Sequence, residues 1–451
     1  MSDRVDLTKG NVFKTLLRFS FPFVISTFLQ TAYNTIDMII VGNVVGKEGL
    51  SALSVGTQLM ELIALLCVGF STAGQILVSQ YVGANDKNNL KRVIGTLFDL
   101  MIFLALLMSI VGIIGCDSFL QWLNTPSEAF IHAHHYVTVC CFGILFTGLY
   151  NMVSAVFRGM GDSKHPMIFI AIASICNIIL DLIFVAFLDW GATGAALATI
   201  IGQVISVIFS INLLIKKQDI FLITINKTMF TFDMKIAITI IKLGIPIALQ
   251  TSAIYISFLF VNKMMNAQGV VVSAAFGTFN KIRNFPNIFT QAVGLGCTAM
   301  MGQNIGAGNM DRVDKTYKSG VMLCIISNLI FAIPYLLAPK GMFRLFTSDE
   351  SVIAFSTFCI LCIVCEMPAK FFMPGGNAIV SASGFVKFSM AMAIMDAFVG
   401  RIFFTWLLGS FLNLGTNGYF IGYVSGTYIT SIALTIYYLT GKWRTRKRLI
   451  D

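Results

Sequence analysis

The sequence predicts an all-α membrane protein of twelve transmembrane helices in two pseudo-symmetric lobes of six, and three observations carry that prediction. Mean hydropathy is +0.82. Of 451 residues, 57% are hydrophobic and 12% charged, where a soluble domain carries about 25% charged residues. The apolar residues fall in blocks near the roughly 20 residues that a helix needs to cross a bilayer, without β-barrel alternation. Finally, the chain repeats its own landmarks. Arg18-Phe-Ser-Phe-Pro22 returns as Lys242-Leu-Gly-Ile-Pro246, and Gln80-Tyr-Val-Gly83-Ala-Asn85 as Gln303-Asn-Ile-Gly306-Ala-Gly-Asn309. Gly161-Asp-Ser-Lys164 and Gly384-Phe-Val-Lys387, then Gly191-Ala-Thr-Gly194 and Gly415-Thr-Asn-Gly418, keep the same offset of 223 or 224 residues.

The first lobe, 1–215, holds spans at about 16–42, 50–79, 93–116, 136–157, 166–188 and 194–215. Its first fifteen residues are polar and lack an apolar h-region, so the first span reads as an uncleaved membrane helix. A cytoplasmic linker, 216–235, carries four lysines with Gln218-Asp219. The second lobe, 236–451, holds spans at about 236–262, 270–301, 316–338, 351–373, 386–409 and 416–440, then a basic tail. Six spans return the chain to its starting face, so the halves insert in the same orientation as parallel repeats. Pro22 and Pro246 sit at matching points of spans 1 and 7, Pro286 lies in span 8, and Pro368 and Pro374 flank the end of span 10, where helices bend. Gly418, Gly422 and Gly426 read as close packing of span 12.

Basic residues orient the bundle. Arg4, Lys9, Lys14 and Arg18 precede span 1; Lys87, Lys91 and Arg92 follow span 2; Arg158 and Lys164 follow span 4; Lys216, Lys217, Lys227, Lys235 and Lys242 lie between spans 6 and 7. Arg312, Lys315 and Lys318 follow span 8, Lys387 follows span 10, and five more close the chain, against Lys47, Lys340 and Arg344 on the other side. Both termini are therefore expected in the cytoplasm, and the chain in the plasma (inner) membrane as a multi-pass protein. The formal charge of +10 reflects topology and contact with anionic lipid rather than nucleic acid.

The ten cysteines read as small packing residues, including Cys359, Cys362 and Cys365, whose spacing lies within an apolar span without the loop an iron–sulfur cluster uses. His132, His134 and His135 read as a solvated external loop.

Chemistry is expected from polar residues inside the membrane, where each is costly. Gln30, Asn34 and Asp37 of span 1, spaced i, i+4 and i+7, share a face that should look into the bundle. Asn177 and Asp181 stand one turn apart in span 5, and span 6 brings Thr199. If these spans meet, two carboxylates, an amide and a hydroxyl converge, to hold a monovalent cation or to load and release a proton. The alternative use is a hydrogen-bonded knot between helices. The second half is charged differently, with Lys263, Lys281, Arg283, Glu366, Lys370, Asp396 and Arg401 within or bordering its spans. Glu366 and Lys370 are placed to pair at i, i+4, as are Asp396 or Glu366 with Arg401. Glu61 and Asp99 are ambiguous. Of forty Phe and twenty-two Met, lipid-facing Phe explains most, and a Met- and aromatic-lined cavity would still accept varied apolar cations.

As a set, Pro22, Gln30-Thr-Ala-Tyr-Asn34-Thr-Ile-Asp37, Gln80-Tyr-Val-Gly-Ala-Asn85, Arg158-Gly-Met-Gly161, Asn177-Ile-Ile-Leu-Asp181, Gly191 to Thr199 and Gln303 to Asn309 resemble the MATE multidrug and toxin extrusion transporters, most closely the bacterial branch with the DinF-like and MepA-like pumps. The resemblance runs from about residue 12 to 440. It implies the MATE/MOP-type fold, two six-helix lobes around a V-shaped cavity, and export of small-molecule drugs or toxins in exchange for inward H+ or Na+, with no other cofactor. The family's cation site, with Na+ as a candidate ion, falls on Asp37, Asn177, Asp181 and Thr199. Gln30, Tyr33, Asn34, Gln250, Tyr255, Asn280 and Arg401 are the polar cavity candidates. Span 7 has Gln250, Tyr255 and Asn262 but no carboxylate, so a second-lobe sodium site is not expected. A monomer is expected. The alternative is a flippase for lipid-linked oligosaccharide or polysaccharide precursors from the same superfamily, with a more basic cavity; Lys263, Lys281, Arg283 and Arg401 speak for it. An enzyme or channel is not expected, because the sequence has no His-Glu-x-x-His, nucleophile–base pair or filter-like loop.

Overall fold

The computed structural model describes residues 5–123, 125–218 and 232–450. Arg4, Asp219 and Lys227, and with them most of the expected linker, lie outside the described residues. Those described form helices and no strand: α1 (Val12–Val44), α2 (Lys47–Gly83), α3 (Lys87–Trp122), α4 (Ser127–Gly159), α5 (Lys164–Asp181), α6 (Gly191–Lys216), α7 (Met234–Asn266), α8 (Val270–Gly306) and α9 (Met310–Leu337). After two short helices, α10 (Pro339–Arg344) and α11 (Glu350–Ile353), come α12 (Ser356–Ala382), α13 (Val386–Met395), the single turn α14 (Phe404–Trp406) and α15 (Gly415–Leu439).

Eleven of the described helical segments are long and apolar enough to cross a membrane. The remaining expected span is α8. At 37 residues it is about 55 Å long, but Asn280, Lys281, Arg283 and Asn284 cluster in its first half. Span 10 departs from expectation. It begins at Ser356 and runs to Ala382, so Pro368 and Pro374 lie inside the helix rather than at its end. A break at this depth would leave backbone groups without water, which favours continuing the helix through proline. Its Gly375 and Gly376 pack tightly, with an added Cβ landing 2.9 Å from the Tyr317 ring and 2.7 Å from Leu434 Cβ.

Two membrane helices widen into π-helix where no proline is present. α5 continues as Leu182–Phe187, and α13 runs through Asp396–Phe403, then α14 and Leu407–Phe411. π-turns often mark functional sites; the first follows Asp181 directly and the second begins at Asp396.

The repeat is written into the backbone. Positive φ occurs at Gly46 and Gly269, Asn85 and Gly308, Gly161 and Gly384, Asp189 and Asn413, and Gly191 and Gly415, each pair 223 or 224 residues apart. Glycine and asparagine suit these left-handed corners because they have no Cβ or a short side chain that bonds locally.

The chain divides into two compact units, one of Phe21–Ala248 with the first residues to Asp6, the other of Leu7–Ser20 and Leu249–Asp451. In the first, α4 packs on α2, α3 and α6, and α5 on α6. Glycines set the spacing: a Cβ on Gly56 would meet Tyr136 at 2.4 Å, and one on Gly143 would meet Ile200 at 2.5 Å. In the second, α12 packs on α8, α9 and α15 around a buried aromatic cluster of Phe276, Phe279, Phe420 and Tyr423. Here Arg312 gathers the N-terminal segment, donating to the carbonyls of Gly10 at 2.8 Å and Lys9 at 3.0 Å, while Asn304 donates to Leu7 O at 3.1 Å.

The three histidines are not in a loop. His132, His134 and His135 belong to the first turns of α4, and His134 stands 3.4 Å from Asp117 Oδ1 of α3. Starting at Ser127, α4 takes in residues that looked like a connection. No metal-binding group of three or more His, Cys, Asp or Glu side chains occurs among the described residues. Cys359 and Cys362 are buried and Cys365 is exposed, all along α12.

Candidate functional site

The buried face of α1 runs through Leu16 and Phe19, which belong to the second unit, then through Phe23 and Ser26 in the first, and resumes at Asp37 and Val41; no residue from 27 to 36 is buried. Gln30 and Asn34 are exposed and Tyr33 half-buried, so the face expected to look wholly into the bundle puts Asp37 inside and leaves the two amides in open space. Amides at membrane depth need water or another polar partner, so a wet cavity suits this stretch better than lipid does. Tyr33 lies within electrostatic reach of Asp37 and Asp181. Ser26, Thr27, Thr31 and Thr35 each turn their hydroxyl back to the carbonyl four residues earlier, at 2.8–3.0 Å. With Pro22 inside the helix, these back-bonds favour bending.

Asp37, Asn177 and Asp181 are buried, with Asp181 at 0% exposure. Helix α5 delivers Asn177 and Asp181 one turn apart, just before the π-segment, and α6 brings Thr199. The Asn177 amide, with its nitrogen toward Asp181, donates to Asp181 Oδ2 at 3.2 Å and accepts from Thr199 Oγ1 at 3.2 Å and N at 3.3 Å, an orientation that satisfies both of its ends. Asp37 and Asp181 interact electrostatically, and each keeps its Oδ1 buried without a hydrogen-bond partner. Tyr136 of α4, buried against Gly56 of α2, also lies within electrostatic reach of Asp37. Sequence reasoning passed over Tyr136, because a lone tyrosine in an apolar span reads as packing. Glu61 is exposed on α2 and Asp99 half-exposed on α3.

The second unit holds a different cluster. Glu366 accepts from Arg283 Nε at 2.6 Å, from Arg283 Nη2, from Lys370 Nζ at 2.8 Å and from Thr427 Oγ1 at 2.8 Å. Arg401 Nε donates to Asp396 Oδ1 at 2.9 Å, and Thr430 donates to Asp396 Oδ2 at 3.2 Å. The Tyr423 ring has guanidinium carbons at 5.0 Å (Arg283) and 5.4 Å (Arg401). Both pairings open to the sequence, Glu366 with Lys370 and Asp396 with Arg401, are made. Tyr423, Thr427 and Thr430 share one face of α15, a signal that sequence spacing carried but that glycine packing obscured. Elsewhere in this unit Gln250 Nε2 donates to Asn377 Oδ1 at 3.2 Å and Ser389 donates to Gln250 Oε1 at 3.0 Å. Asn280 donates to Phe276 O of its own helix at 2.9 Å, and Tyr255 is half-buried beside Phe258.

A repeated bundle of membrane-crossing helices, with a bare acidic pair buried in one unit and an ion-paired cluster buried in the other, is the architecture of a multi-pass transporter. The MatE family model matches residues 22–183 and again 246–407, the same offset of 224 that separates Pro22 from Pro246, and the chain belongs to this family. Its members are transporters rather than enzymes. The chain is 29% identical to the probable multidrug resistance protein YpnP of Bacillus subtilis, over 98% of each chain. It is 24% identical to the multidrug export protein MepA of Staphylococcus aureus, over 78% of this chain and 77% of that one. A MOP superfamily transporter from Pyrococcus furiosus shares the fold, with a TM-score of 0.90 at 23% identity over 98% of both chains.

Proposed function

We propose that this protein is a secondary active multidrug efflux antiporter of the plasma membrane, exporting cationic and amphipathic organic compounds in exchange for inward H+ or Na+. Similarity to YpnP and MepA supports the drug-export reading. The observation that carries ion coupling is the pair Asp37 and Asp181, buried together with an unpartnered oxygen on each. Two carboxylates in a medium of low dielectric repel one another, so the closed site is stable only with a proton or a cation bound. Asn177 and Thr199 supply further oxygens, as a small hard cation requires. Loading the site neutralises Asp37 and lets α1 bend along its back-bonded stretch, which closes the space at Gln30, Tyr33 and Asn34 and expels drug. The protein works as a monomer with cytoplasmic termini, and its basic tail faces anionic lipid.

The flippase reading drew on four basic residues. Arg283 and Arg401 are committed to buried carboxylates, which favours the antiporter. Proteoliposome uptake of a cationic dye, driven separately by a pH and a sodium gradient, tests the proposal. Asp37→Asn and Asp181→Asn should each abolish gradient-driven uptake; normal rates in both overturn it.

A further inference from the structure

The last turns of α6 carry polar groups that the acidic site does not use. Among the described residues, Phe209, Asn212, Leu213 and Lys216 line a cavity of about 400 Å3. Their spacing of i, i+3, i+4 and i+7 sets them in one stripe along the helix. Phe209 is 41% exposed and rests edge-on against buried Phe169 of α5, with ring centroids 6.1 Å apart. Asn212 and Lys216 are exposed, and neither side chain has a polar partner among the described residues. The neighbouring Lys217 is engaged elsewhere: Asp162 fixes His165, whose Nε2 stands 3.1 Å from Lys217 Nζ. Lys216 is therefore the cation of the cavity.

An exposed amide one turn inside the end of a membrane helix is costly against hydrocarbon. The stripe runs from aromatic to amide to ammonium, the order in which acyl chain, glycerol ester and phosphate follow on leaving a bilayer. One turn, about 5.4 Å, separates Asn212 from Lys216. A soluble anion would use Lys216 and leave Phe209 and Leu213 wet, and an acyl chain alone would leave Asn212 without a partner. We propose that this face of α6 is a binding site for an anionic phospholipid. Lys216 pairs with the phosphate, Asn212 donates to a glycerol ester carbonyl, and an acyl chain lies along Phe209 and Leu213.

Native mass spectrometry of the full-length protein in detergent, titrated with phosphatidylglycerol or phosphatidylcholine, tests it. The first phosphatidylglycerol should bind wild type about fivefold more tightly than phosphatidylcholine, the worth of one lysine beside anionic lipid. Lys216→Gln should bring the ratio to about one, Lys216→Arg should keep it, and Lys447→Gln in the tail should leave it unchanged. Asn212→Leu should weaken both lipids severalfold. Equal binding by wild type, a ratio that survives in Lys216→Gln, or unchanged affinity in Asn212→Leu overturns the site. Loss of the ratio in Lys447→Gln also overturns it, in favour of general attraction to a basic surface. Displacement of the lipid by glycerol 3-phosphate, which lacks acyl chains, overturns it in favour of a soluble anion. Each variant exchanges an exposed side chain, and the wild-type ratio decides even where one fails to fold.

Discussion

Glu366 and Asp181 are both fully buried acids, yet their surroundings give opposite predictions. Glu366 is enclosed by Arg283, Lys370 and Thr427, so Glu366→Gln strands cations and should cost about 3–5 kcal/mol. Asp181 has no cation among its partners and one oxygen unpaired. Asp181→Asn removes a buried charge at constant shape and should leave stability unchanged or raised while stopping transport. Melting temperatures of the two purified variants, measured side by side at one scan rate, check the sign. The acids were legible in the sequence because an ionisable residue in an apolar span is rare. What surrounds them was not: Tyr423 and Thr427 sit among the aromatics and small residues of an ordinary packing helix, and only the fold brings them to Arg283 and Glu366.

At the scale of elements, α1 is built to bend. Pro22 removes a backbone donor, and four hydroxyls back-bond along the next three turns. Pro22→Ala should stiffen it, slowing amide hydrogen exchange across residues 20–36 and lowering transport severalfold without loss of helix; unchanged exchange would argue against a hinge here. Proline and repeat position made this helix readable in advance. The π-segments after Asp181 and at Asp396 were not readable, because one extra residue per turn leaves no compositional mark. Likewise, Pro374-Gly-Gly reads as a stop, and packing against Tyr317 and Leu434 carries α12 past it.

For the molecule as a whole, the two halves share corners but not charges. The corners are a stability device, so Gly161→Ala and Gly384→Ala should each cost about 1–2 kcal/mol, the penalty of a Cβ in the left-handed region. Paired thermal unfolding checks both. The doubling itself was legible, since glycine and proline positions survive sequence divergence where side chains facing lipid do not.

The left-handed turns have one more consequence. Five corners occur in pairs, so the chain carries its own twin study. A substitution made at one sibling has its control in the other, inside the same polypeptide and the same bilayer. Concordant siblings report inherited architecture. Discordant ones, such as Asn85 opposite Gly308, mark where the two halves have taken up separate trades.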